Sequence, residues 1–269
     1  MSLYDIVGSI AESEREKTGG GQVKIMGPVV GIVAKKYSKD MPGRVCVQIP
    51  VRDGDANVLQ WAKTVMTSAG KKWGNYFLPE IGDKVLLVFE NGNIEKPYIV
   101  GSIFADDSEF LQNVADEENQ YKKIKTKNGN ALLFVDSREG EGSKDRIELE
   151  TSKGEHIIIL DNENKKITLR DKQGENSINM NTEKGEIEIK VKNRMKISGG
   201  NVSVVIDGDS GKISISCEKL SLKANQGITA ETGGMFKMKG ESTNVSGSSS
   251  VKLSSDGTTI IQGAVIKEG

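Results

Sequence analysis

The stretch ITLRDKQGENSINMNTEKGEIEIKV, residues 167–191, decides the reading of the larger part of this chain. Ile167 and Leu169, Ile178 and Met180, and Ile187 and Ile189 stand two apart with polar residues between them, and Gly174 and Gly185 part the pairs. Alternation of period two marks strands that bury one face. The pattern runs outward in both directions at a spacing of roughly ten residues, the mark of a repeat architecture. Upstream stand Ile147 and Leu149, then Ile157 and Ile159; downstream follow Met195 and Ile197, Val204 and Ile206, Ile213 and Ile215, and Leu220 and Leu222. Each repeat is one strand and one turn, shorter than the roughly 20 residues of a single-chain solenoid rung. So narrow an apolar face needs surface that the chain does not supply. Three copies about one axis supply it, each giving a wall and passing to the next at every turn, with no lateral sheet edge left open. The prediction over residues 123–269 is an intertwined triple-stranded β-helix, a homotrimeric needle. Its core is formed by Ile147, Leu149, Ile157, Ile159, Ile167, Leu169, Ile187, Ile189, Ile213 and Ile215.

The residues before this region obey other rules. All five prolines (Pro28, Pro42, Pro50, Pro79, Pro97) precede residue 98, and of thirteen aromatic residues only Phe134 and Phe236 follow Tyr121. Proline removes a ladder donor, so its absence suits stacked strands. The break places a boundary in the polar stretch 106–122. Before it, Val29–Val33, Val45–Ile49 and Val85–Phe89 are short β-branched or apolar runs, and Asn91-Gly92 is a hairpin signal answered by Tyr98-Ile99-Val100. These runs fit a small closed barrel over residues 23–105. At the N-terminus, Leu3, Ile6, Val7 and Ile10 share one face of a short helix, tethered by Gly19-Gly20-Gly21; residues 1–22 form this segment.

Composition excludes several classes of function. With 37 basic and 38 acidic residues the net charge is −1, which gives no footprint for nucleic acid or an anionic membrane. Lys71, Lys72, Trp73 and Tyr76 make one small basic–aromatic patch, but Gly70 and Gly74 mark it as a loop. Cys46 and Cys217 are too far apart in sequence for metal-ligand spacing and read as free thiols. No signal peptide or spanning segment is present, so the chain is expected to be made and assembled in the cytoplasm. The one histidine, His156, is expected to face solvent because Ile157 takes the inward position. A lone histidine supports neither a metalloprotease pair nor a hydrolase triad. Glu148, Glu150, Asp161, Asp171, Glu186 and Glu188 are expected on the outer face, matched by Lys and Arg neighbours. The expectation is a protein without catalytic residues, cofactor or metal.

The stretch GIVAKKYSKDMPGRVCVQIP, followed by LQWAKTVMTSAGKKWGNYFLPEIGDKVLLVFENGNIEKPYIVGSIF, resembles the barrel of the contractile-tail baseplate spike family, which includes phage baseplate assembly protein V and the VgrG proteins. The matching positions are Pro42, Gly43, Arg44, Val45, Trp61, Gly70, Pro79, Glu80, Gly82, Asp83, Pro97 and Gly101, spread in order over about residues 28–104. The resemblance implies an all-β chain with an OB-fold barrel, a homotrimer, and a place at the centre of a baseplate in a phage tail, tailocin or cell-anchored injection machine. It implies a separate hub protein at the N-terminal end and a PAAR-type tip at the C-terminal end, where Ile260, Ile261, Val265 and Ile266 would form the docking platform. The target membrane would be met only transiently, on penetration. A trimeric β-helical fibre or adhesin that binds a cell-surface receptor is the competing reading.

Overall fold

The computed structural model describes residues 24–50 and 58–267 of the 269. The expected N-terminal helix and glycine tether lie outside the described residues.

Five strands, β1 (Val29–Lys35), β2 (Arg44–Ile49), β3 (Val58–Thr64), β4 (Lys84–Phe89) and β5 (Pro97–Ile103), close a barrel in the order β1-β2-β3-β5-β4. All pairs are antiparallel except β3 with β5, as in an OB-type Greek-key barrel. The inward positions alternate along each strand. Val85 and Leu87 on β4 join Val33, Val45, Val47, Ile49, Ala62 and Ile99 in a core that is essentially sealed from solvent. Register shifts at Val33/Lys35 and Leu86/Leu87 bend the strands enough to close it. Gly31 is needed for the close approach of β1 and Leu87, since a Cβ there would lie 2.7 Å from Leu87 Cδ1. The Asn91-Gly92 signal is realised with positive φ at both residues, inside a connection spanning residues 90–96 that is wider than a two-residue hairpin. The Glu90–Lys96 ion pair and the Lys96 N–H to Asn93 O bond brace this wider turn.

A short helix, α1 (Glu109–Val114), capped by the Ser108 hydroxyl, leads to a seven-stranded meander. It comprises β6 (Tyr121–Lys125), β7 (Ala131–Val135), β8 (Arg146–Glu150), β9 (His156–Asp161), β10 (Lys166–Asp171), β11 (Ser177–Asn181) and β12 (Glu186–Lys190). Each strand pairs with the next, antiparallel throughout. A second compact unit begins at Arg194 and holds a three-stranded meander, β13 (Arg194–Gly199), β14 (Val202–Asp207) and β15 (Lys212–Ser216). No described residue after Ser216 lies in a strand, and every described residue from Glu218 to Lys267 is exposed.

One expectation is corrected here. From β6 to β12, and again from β13 to β15, the chain does not leave for a neighbour at each turn but returns upon itself. The turns explain this: residues such as Lys165, Gly174, Gly185 and Gly211 adopt positive φ and reverse the strand within its own sheet.

Candidate assembly surface

The strand registers divide the meander into two faces. Leu132 pairs with Leu149, Leu149 with Ile158, Ile158 with Leu169, Leu169 with Ile178, and Ile178 with Ile189. A second row on the same face joins Phe134, Ile147, Leu160, Ile167, Met180 and Ile187. The opposite face carries Glu148, Glu150, Asp161, Lys166, Thr168, Arg170, Asn179, Glu186 and Glu188. The second unit repeats the plan, with Met195 opposite Ile206, Ile197 opposite Val204, and Ile213 and Ile215 beside them.

These apolar faces are uncovered. Ile187 is 62% exposed, Leu149 50% and Ile213 67%, whereas Val85 and Leu87 of the barrel are at 0%. Burying a fully exposed Ile or Leu is worth about 1.5–3 kcal/mol, so a dozen half-exposed ones leave on the order of 10 kcal/mol unrealised per chain. That is about the whole stability of an ordinary domain. A contiguous apolar surface of this kind marks an interface.

The registers correct three sequence-based expectations. Ile157 and Ile159 lie across the sheet from the other expected core residues; Ile158 and Leu160 take the apolar face instead. His156 therefore sits on the margin of the apolar face, opposite Asp171, with its ring Nδ1 3.4 Å from the Thr151 hydroxyl. Asp171 accordingly shares the apolar face's margin and not the outer face with the other five carboxylates. For Ile157, Ile159 and His156 the cause is the run Ile157-Ile158-Ile159-Leu160, which is apolar at both parities; Asp171 simply shares the parity of Ile167 and Leu169 on its own strand.

The turns are built from strand-end acids that fold over their own loops. Asp161 accepts the Asn164 N–H and side-chain amide at 3.0 and 2.8 Å. Asp171 accepts the backbone N–H of Glu175 and Asn176, and Asp207 that of Ser210. Successive turns on each margin are also stitched together. Asn162 N–H donates to Asp145 O, Lys172 N–H to Glu155 O, and Thr182 N–H to Lys165 O, at 2.9–3.0 Å. Lys172–Glu155 and Lys192–Glu175 ion pairs lie over the same steps.

These bonds set a pH dependence. The Asn164 backbone N–H holds Asp161 below the usual carboxylate range, the Asn176 side-chain amide does the same for Asp171, and the Ser210 backbone N–H for Asp207. Folded values below the unfolded value of about 3.9 contribute stability that is present above it. That stability is lost as the pH falls through the folded values. Sheet unfolding followed by far-UV circular dichroism should therefore shift to lower temperature below about pH 4. In Asp161→Asn/Asp171→Asn the shift between neutral and acid pH should shrink.

The barrel-motif residues act as turn makers and seals. Gly43, at φ +77°, turns the chain into β2, where Arg44 N–H donates to Met41 O at 3.2 Å. Trp61 and the buried Ala62 lie on β3, and Pro79 and Pro97 are buried. Asp83 accepts the Glu80 N–H at 2.8 Å, while Gly82 N–H donates to Val33 O, pinning this turn to β1. The Lys36 ammonium, 2.5 Å from Glu80, holds that carboxyl below its ordinary range, and Lys127 of the β6–β7 turn approaches it at 3.6 Å. Gly101 pairs with Leu86 beside the β4 register shift, and Gly70 lies under the Trp73 ring. Ile260, Ile261, Val265 and Ile266 are exposed in the strandless tail. Cys46 is a buried free thiol and Cys217 a half-buried one. Among the described residues, no helix is long and apolar enough to cross a membrane, and no group of three His, Cys, Asp or Glu is placed to hold a metal.

Comparison with known proteins bears on the barrel first. Residues 29–104 match the family described as the type VI secretion system/phage-baseplate injector OB domain. The type VI secretion system spike protein VgrG5 of Pseudomonas aeruginosa PAO1 is 22% identical over 152 residues, which are 55% of this chain and 18% of that protein. The matched stretch is thus under a fifth of that relative's length.

Proposed function

We propose that this chain, which carries the injector OB domain of the baseplate spike family, is the central spike of a contractile injection machine and works as a homotrimer. The observation that carries the reading is the uncovered apolar face of the meander, continuing from a barrel of this family. Three such faces turned to a common axis would bury one another, with the charged faces outward. Each chain would supply a wall as far as Ser216. Beyond it, Leu220, Ile228 and Phe236, then Val245, Leu253 and Ile261, recur at eight residues, against the roughly ten of the hairpin repeats. That spacing is shorter than a five-residue strand with the turns of four or more residues that join most of the strands upstream, and it suits a tail that pairs with neighbouring chains.

The spike would act by shape and stiffness. Axial load would pass along stacked strands joined by ladder bonds within each sheet and by turn-to-turn bonds on both margins. A hub protein would hold the barrel end, a PAAR-type tip would seat on Ile260, Ile261, Val265 and Ile266, and sheath contraction would drive the trimer through the target envelope. No catalytic step is involved, and no clearing is expected on a peptidoglycan zymogram.

Sedimentation tests the reading. Three copies of 29.1 kDa should travel as one species of about 87 kDa; a well-folded monomer would overturn it. A chain ending at Ser216 should lose the resistance to detergent that the paired tails confer, and migrate as single chains in unheated SDS gels where the full chain migrates as a trimer.

A further inference from the structure

The barrel carries a second uncovered feature. Between β3 and β4 the chain forms a tongue over residues 65–82. Its tip is a small hairpin in which Gly70 N–H donates to Trp73 O at 2.7 Å and Asn75 N–H to Ser68 O at 2.9 Å. The Asn75 side-chain amide donates to the Thr67 hydroxyl at 2.7 Å. The indole of Trp73 rests on Gly70, where a Cβ would come within 2.6 Å of the ring nitrogen. Trp73 lies against Gly70 and is still 68% exposed, with Tyr76 at 71%. Exposed Trp and Tyr side chains are common anchors of protein interfaces. Lys71 and Lys72 flank it and make no ion pair among the described residues.

The complementary surface lies in the linker. Residues 105–119 hold six acids and no Lys or Arg. Asp106 and Asp107 are exposed and make no ion pair among the described residues, beside Phe104, whose ring stacks on Phe110 at 5.6 Å and is 56% exposed. Topology brings the two surfaces to one end of the barrel. Because β3 and β5 are parallel neighbours, the tongue leaving Thr64 and the linker leaving Ile103 depart on the same side; Val65 N–H still bonds Ile99 O. Yet the lysines and acids of one chain do not meet.

We infer that in the trimer proposed above the tongue of each copy docks on the acidic linker of the next, Trp73 against Phe104 and Lys71 and Lys72 against Asp106 and Asp107. Each copy uses one tongue and one linker, so the contact is head-to-tail and closes as a ring at three. It would clamp the chains at the junction of barrel and needle, and it explains the loop patch without nucleic acid.

Cysteine linking in the full chain tests this. In a Cys217→Ser background, Lys72→Cys/Asp107→Cys exposed to oxidised glutathione should give covalent trimers on non-reducing gels, reverting to monomer with reductant. Lys72→Cys alone or Asp107→Cys alone should give no species beyond dimer. A trimer by sedimentation that yields only unlinked chains, only dimers, or an internally linked monomer would overturn the inference while leaving the spike reading intact. A monomer by sedimentation would overturn both. Linking of a Trp73→Ala version should slow about tenfold or more, as loss of an interface anchor requires; unchanged linking would sink the anchor role.

Discussion

Leu169→Asp should abolish the trimer: sedimentation of the full chain is expected to fall from the mass of three copies to that of one, or to aggregates. Leu169 stands mid-sheet on the apolar face, paired with Ile158 on one side and Ile178 on the other. With three walls facing one axis, the substitution would bring three carboxylates into an apolar interior. Each uncompensated charge costs several kcal/mol, against the roughly 1 kcal/mol that each half-exposed residue gains by burial. The control is Asn179→Asp, which adds the same charge on the polar face, opposite Thr168 and Glu188; the like-charge pair with Glu188 costs only about 0.2–1 kcal/mol on that solvated face. It should leave the mass at three copies. Both tryptophans, Trp61 and Trp73, lie in the barrel half, so unchanged tryptophan fluorescence would show that Leu169→Asp spares the barrel. A Leu169→Asp protein that remained a trimer would remove the apolar face as the assembly surface.

The second large effect concerns the barrel. Leu87→Ala should destabilise it by about 2–5 kcal/mol, the cost of a buried leucine together with the cavity it leaves. Leu87 is fully buried among β-branched residues on strands whose registers close a ring, and that ring cannot easily collapse around a void. For a domain of this size the midpoint of the tryptophan fluorescence melt should drop by roughly 10 °C or more. The neighbouring Leu86→Ala, outward on β4, should shift it by far less. Equal shifts at the two positions would contradict the inside–outside alternation of β4.

Much of the fold was legible because it is periodic. Two-residue alternation told strands from helices, the loss of proline after Pro97 marked where continuous ladders begin, and the resemblance through Pro42-Gly43, Pro79 and Gly82-Asp83 pointed to the barrel now matched at residues 29–104. Those motif positions were legible because they make turns, and turns need particular residues. The candidate surface was legible wherever an apolar residue had polar neighbours on both sides, as at Ile167, Leu169, Ile187 and Ile189. It was not legible in His156-Ile157-Ile158-Ile159-Leu160-Asp161, where four apolar residues in succession carry no parity.

By itself, then, the sequence determined that the chain from Tyr121 to Ser216 forms strands with one apolar face, and that this face has no core of its own chain to meet. Side-chain alternation is a property of the extended backbone, so local order suffices. Only the tertiary structure decided which partner each strand takes and which face the ambiguous run presents. Pairing is set by whether the positive-φ turns at Lys165, Gly174 and Gly185 reverse the chain within its own sheet, and they do. Register across the resulting ladder, with Ile147 opposite Leu160 and Leu169 opposite Ile158, then put Ile158 and Leu160 on the apolar face and His156 and Asp171 at its margin. A one-residue slip would exchange the faces of a strand, and neighbouring strands, not the residues within it, prevent that slip.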